Sequence, residues 1–72
     1  MVRFDAKALF VAMDQQRLTR GLTWRQVAAE TGVSEATIAR TKTGGRMDVD
    51  GMLAMVAWLG VPVETFVRGT PK

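Results

Sequence analysis

Thr23 to Gly44 reads TWRQVAAETGVSEATIARTKTG, and this stretch decides the fold. Thr23 suits an N-cap, and Gln26 three residues on completes a capping box by reaching back to the cap's own amide. A helix therefore starts at Trp24. Val27, Ala28 and Thr31 fall at i, i+1 and i+4 on its inner face, and Gly32 supplies a left-handed turn position that a Cβ resists. That first helix ends after about two turns. Val33 then plugs inward, Ser34 caps a second start, and Ile38 gives the new helix a buried residue. Glu35, Ala36, Thr37, Arg40 and Lys42 point elsewhere, so one face is left free to meet a partner.

Working outward, one grammar marks four helix starts: an apolar residue, a capping side chain, then an apolar residue five positions after the first. They are Phe4-Asp5-Leu9, Leu22-Thr23-Val27, Val33-Ser34-Ile38 and Met47-Asp48-Met52. The pattern predicts a helix from about Ala6 to Arg20 closed by Gly21, and another from about Val49 to Trp58 closed by Leu59 and Gly60. A short fifth helix is expected to begin near Pro62 and to carry Val63, Phe66 and Val67 inward. The expected fold is all-α, an orthogonal bundle of five short helices without strands. It fills one domain over residues 1–67, followed by a flexible tail from Arg68 to Lys72. Its expected core is Leu9, Phe10, Met13, Leu22, Val27, Ala28, Val33, Ile38, Val49, Leu53, Val56, Leu59, Val61 and Phe66.

With 72 residues, the chain buries only about 60% of its unfolded surface, so stability is modest and self-association helps it. Apolar residues make up 47% of the chain, with no low-complexity tract and no apolar run near the roughly eighteen residues of a membrane span. The opening MVRFDAKALFVAMD carries charges inside its apolar pattern, which suits an amphipathic helix rather than a secretory leader. A cytoplasmic location with no membrane partner is the expectation. Cysteine and histidine are absent, which removes a disulfide framework and the usual zinc ligands. There is no glycine-rich phosphate loop, and Asp48 and Asp50, at i and i+2 on a helix, do not face each other as a metal pair. No cofactor, metal, small-molecule ligand or catalytic residue is expected.

The net charge of +3 is mild, but its distribution is uneven. Arg17, Arg20, Arg25, Arg40, Lys42 and Arg46 are opposed within their span by Glu30 and Glu35, whereas Asp48, Asp50 and Glu64 follow in a span with no base before Arg68. Each arginine alone reads as part of a solvated, mixed surface. Clustered around the second of the paired helices, they favour phosphate.

The spacing from Ala28 through Gly32 and Val33 to Ile38 resembles the helix-turn-helix of the Cro and lambda-repressor-like family. The resemblance runs from about Leu18 to Val67 and includes Leu59-Gly60-Val61 and the closing Phe66 and Val67. It implies that the second helix enters the major groove of double-stranded DNA, with Glu35, Ala36 and Arg40 at base edges. The resemblance brings Trp24 to a phosphate-contacting position, with Arg25 and Gln26 as alternates, while Ser34, Thr37 and Thr43 carry short donors suited to phosphate oxygens and Lys42 and Arg46 add charge, together setting register. Ser34 has a second role as a cap, and Glu35 one in stabilising the helix N-terminus.

Two positions depart from the family pattern. Where a phosphate-bonding glutamine commonly opens the first helix, Trp24 stands, and it either donates its indole N–H to phosphate or acts as a hydrophobic lid. Some members pair an arginine late in helix one with a glutamate late in the recognition helix, but here the residues are Arg17 and Lys42. Arg17 therefore turns either to an acid such as Glu30 or toward phosphate.

The fourth helix is apolar nearly all round. Gly51, Ala54 and Trp58 form a stripe beside the expected core stripe of Val49, Leu53, Val56 and Leu59, and Met52 and Met55 widen it. Either Trp58 folds over helix one or the tail, or Gly51, Ala54, Met55, Trp58 and Val63 form a two-fold homodimer interface. The dimer would set two recognition helices about 34–36 Å apart. The expected function is a sequence-specific transcriptional regulator, most simply a homodimeric repressor acting sterically at an inverted repeat, with activation through an acidic patch at Asp48 and Asp50 the open alternative. The alternatives are a protein-interaction module of the same fold, such as a toxin-binding antitoxin, and an architectural DNA binder of low specificity.

Overall fold

A computed structural model describes residues 2–45 and 47–69. A short strand, β1 (Val2–Phe4), leads into α1 (Ala6–Arg20), followed by α2 (Trp24–Thr31), α3 (Glu35–Lys42) and α4 (Val49–Leu59). A 3₁₀ turn over Val63–Phe66 then delivers the chain to β2 (Val67–Gly69), which pairs antiparallel with β1. The molecule is mostly helical with a small two-stranded sheet.

The helix starts follow the capping side chains. Asp5, Ser34 and Asp48 accept from the backbone N–H groups of Ala8, Thr37 and Gly51 at 3.0, 3.2 and 3.1 Å. At Thr23 the capping box is complete in both directions: its hydroxyl accepts from Gln26 N at 3.1 Å, and Gln26 Oε1 accepts from Thr23 N at 2.8 Å. Each such cap stabilises its helix by about 1 kcal/mol. Gly32, at φ 75°, makes the tight turn between α2 and α3.

The core lies where α1 crosses α3 and α4, with α2 closing one side. Leu9, Met13, Val27, Val33, Ile38, Met55, Val56 and Phe66 form it, and Thr41 is buried with its hydroxyl donated to Ile38 O at 2.6 Å. Phe10, Leu22, Ala28 and Leu59, expected inside, pack against this cluster while keeping an exposed edge. Three of the expected core residues lie outside: Val49 is 63% exposed, Leu53 47% and Val61 36%. The reason is the phase of α4. A helix apolar all round carries no sequence signal for which face turns inward, and the unbranched Met55 fills the gap that the other helices leave. Gly51 is buried with it, held against Asp48, whose Oδ1 would stand only 3.0 Å from a Cβ at Gly51.

This phase takes Gly51 and Met55 out of the interface expected on α4. Gly51 and Met55 are buried in the chain's own core, and Ala54, Trp58 and Val63 pack against it.

The chain ends also differ from the expectation of an all-α fold with five helices. Among the described residues four α-helices form, and the expected fifth is the 3₁₀ turn that Pro62 precedes. Val2 pairs with Gly69, Arg3 with Arg68 and Phe4 with Val67, so Arg68 and Gly69 belong to the sheet rather than to a tail. Asp5 N donates to Phe66 O at 2.7 Å, the Phe4 and Phe66 rings sit 5.9 Å apart, and Arg68 Nε lies 3.4 Å from Asp5 Oδ2. Three-residue strands more than sixty positions apart have no local period to read. The rest of the expected tail, residues 70–72, lies outside the described residues, as does Arg46.

Candidate functional site

The free face of α3 carries Glu35, Ala36, Ala39, Arg40 and Lys42, all exposed. It stays free because Ile38 and Thr41 take the inward positions of this eight-residue helix. Beside it runs a groove of about 420 Å³ whose lining is mostly apolar. Phe10 of α1 and Trp24 of α2 form one wall, Ala36, Ile38 and Ala39 of α3 the other, and Glu35 and Lys42 also line it. Sequence reading placed Phe10 in the core. It instead stacks on Trp24, with ring centroids 5.2 Å apart and planes 21° from parallel.

Arg17 completes the Trp24 wall. Its guanidinium lies 4.9 Å from the Trp24 ring centroid, bonds Asp14 Oδ1 through Nη2 at 2.7 Å and donates from Nη1 to Leu22 O at 3.1 Å. Of the two roles open to it, the acid partner is the one formed, and that acid is Asp14 rather than Glu30. The Trp24 indole N–H has no hydrogen-bond partner among the described residues.

Glu30 belongs to a different cluster on α2's other side. It accepts from Trp58 Nε1 at 2.8 Å and pairs with Arg20 at 3.1 Å, while the Arg20 guanidinium lies 5.5 Å from the Trp58 ring centroid. Trp58 therefore folds over α1 and α2, tying α4 to both. Its indole hydrogen bond, aided by the Arg20 charge and partly opposed by desolvation, holds the Glu30 carboxyl below the usual carboxylate range.

Several of the hydroxyl and amide groups assigned to phosphate also have partners inside the chain. Gln26 Oε1 is held in the capping box, Ser34 Oγ accepts from Thr37 N and donates to Thr37 Oγ1 at 2.9 Å, and Thr43 Oγ1 donates to Arg40 O at 3.1 Å. The Gln26 amide group and the Thr37 hydroxyl proton are left over for an external acceptor. Arg25, Arg40 and Lys42 are exposed and, among the described residues, form no ion pair. The arrangement suits an elongated anionic partner laid against α3: cations and the Trp24 donor at its edges, small methyl-bearing side chains in the middle.

Sequence reading passed over Lys7 and Arg3. Both stand at the end of the same surface, where α1 begins and α3 closes, in a second cleft of about 320 Å³ shared with Thr43 and Gly44. The packing of α1 against α3 puts Lys7 there, β1 brings Arg3, and no sequence spacing reports either placement. Ala39 was likewise unassigned, although three positions on from Ala36 places it on the same face.

Among the described residues, no cluster of acids could hold a metal ion, and no helix is long and apolar enough to cross a membrane. No protein-family model matches the chain, and a search of curated proteins finds no match.

Proposed function

We propose that this protein is a sequence-specific double-stranded DNA-binding regulator of the lambda-repressor-like kind, with α3 as its recognition helix. One observation carries the reading: a short, doubly capped helix that keeps Glu35, Ala36, Ala39 and Arg40 exposed on one face, set across a tight glycine turn from a helix whose N-terminus offers Trp24 and Arg25. Arg40 takes a guanine through O6 and N7, Ala36 and Ala39 offer methyls to thymine, and Glu35 accepts from cytosine N4. Trp24 N–H, Arg25, the Gln26 amide, Thr37 and Lys42 hold the flanking phosphates. No residue is assigned a catalytic role.

The regulator acts as a homodimeric repressor at an inverted repeat, and α4 supplies the contact through the face opposite to the one sequence reading chose. Val49, Leu53 and Ala57 are exposed at four-residue spacing along it, and Val61 follows, exposed, beyond the Gly60 cap. Crossed antiparallel with a second copy, the stripe is self-complementary about residue 55, where the large Leu53 meets the small Ala57. An α4 pair alone covers less than the roughly 1,200 Å² of a standard stable interface, so the dimer is weak in solution and completed on DNA.

Selection of the protein against a randomised duplex tests both parts. An inverted repeat is the expected product, with half-sites one helical turn apart, and Leu53→Asp should reduce it to an isolated half-site. Recovery of no preferred sequence would overturn the regulator. The same exposed stripe then favours the second reading, a protein-interaction module that meets its partner through α4.

A further inference from the structure

We infer that Arg3 and Lys7 form a seat for a DNA backbone phosphodiester at the C-terminal end of α3, extending the interface onto β1 and the first turn of α1. The inference rests on the duplex-binding reading of α3 and adds to it two residues that neither the spacing nor the family resemblance assigned.

The seat is built by one close approach. The chain leaves α3 through Gly44 at φ 78°, and the Lys7 stem lies directly over that turn. A Cβ at Gly44 would stand 3.2 Å from Lys7 Cε, 3.7 Å from Cγ and 3.9 Å from Cδ. The stem is thereby held along the glycine, and its ammonium is carried to the end of the helix. Arg3 and Thr43 share the cleft with it. Arg3 and Lys7 are exposed and, among the described residues, neither forms an ion pair. The acid in the cleft, Asp5, is engaged elsewhere: it caps α1 through Ala8 N and pairs with Arg68. The local charge facing solvent is positive.

Position fixes the ligand. Lys7 lies three residues before Phe10 on α1, and Thr43 directly follows Lys42, so the cleft continues the groove lined by Phe10 and Lys42. An anion seated there lies at the C-terminal end of α3, beside whatever occupies the groove. A duplex presents phosphates as a continuous row, so a partner whose bases face α3 also brings backbone phosphates to its flank.

Phosphate contacts are independent of sequence, so a duplex of random sequence is a sufficient probe. Binding measured by fluorescence anisotropy across a salt series should show Lys7→Gln and Arg3→Gln each flattening the slope of log K against log salt by about 0.9. Lys7→Arg should restore the slope, and the thermal midpoint of each variant should stay at that of the parent. A Lys7 that only stabilised the end of α3 would lower the midpoint and leave the slope alone, which overturns the inference. Parent binding with unchanged slopes in both glutamine variants overturns the seat and leaves the α3 reading standing. If the parent protein has no affinity for duplex at low salt, both fail together.

Discussion

The two tryptophans sit in similar surroundings and do different work. Each has an arginine of α1 over its ring: Arg17 at 4.9 Å from Trp24 and Arg20 at 5.5 Å from Trp58. The difference lies at the indole nitrogen. Trp58 gives its N–H to Glu30, closing a three-helix cluster in which donors and acceptors are matched. Trp24 stacks on Phe10 at the edge of the α3 groove, and among the described residues its N–H is unclaimed. A cluster with matched donors and acceptors holds the bundle together, whereas a solvent-facing donor on a preorganised wall is available to a ligand.

Three substitutions sharpen or break that comparison. The largest effect is expected from Trp58→Ala, which removes partly buried ring area and the tie between α4 and α2. Urea unfolding should report a loss of about 2 kcal/mol, discounted from a full aromatic deletion because Trp58 keeps an exposed edge. A loss within experimental error would mean that Trp58 is surface decoration.

Next comes Trp24→Phe, which keeps a ring against Phe10 and under Arg17 but deletes the N–H. Affinity for duplex DNA should fall by about 1 kcal/mol while the unfolding midpoint barely moves. Equal damage to stability would make Trp24 a second Trp58, and the contrast would collapse.

The smallest effect is in the response to acid. The native Glu30 carboxyl titrates below its ordinary value near 4.5, so its cluster contributes stability above that pH and loses it as the pH falls through the lowered value. Both groups are exposed enough for solvent to screen the pair heavily. The stability gap between the parent and Trp58→Phe should therefore be small at neutral pH and narrower still in acid. A gap that widens in acid would contradict the assigned partner.

What the sequence revealed follows the range of the interactions involved. Helix starts are local events, decided by Asp5, Thr23, Ser34 and Asp48 against the amides three residues on, and all four were legible. The strands were not, because Phe4 finds Val67 only after the bundle has brought the chain ends together. The phase of α4 was hidden for another reason. Val49, Leu53, Gly51 and Met55 all fit an apolar environment, and the choice between them was made by the shape of the space left by α1 and α2.

The candidate site divides in the same way. Ala36 and Arg40 could be placed on an open face from the position of Ile38 alone, and Glu35 at its edge as the first helical residue after the Ser34 cap. The neighbours supplied by α1 could not, since Phe10, Arg17 and Lys7 reach the site through helix packing. Sequence spacing marks what one helix offers, and the fold decides what stands beside it.

The central claim is that α3 reads bases, and one comparison tests it most directly: the affinity of the parent protein and of Arg40→Ala for a selected site and for a duplex of scrambled sequence, at one salt concentration. The account predicts that Arg40→Ala loses about 1–3 kcal/mol on the selected site and relaxes one base position, with a much smaller loss on the scrambled duplex. Equal losses on both duplexes would make Arg40 a phosphate contact and would contradict base reading by this helix.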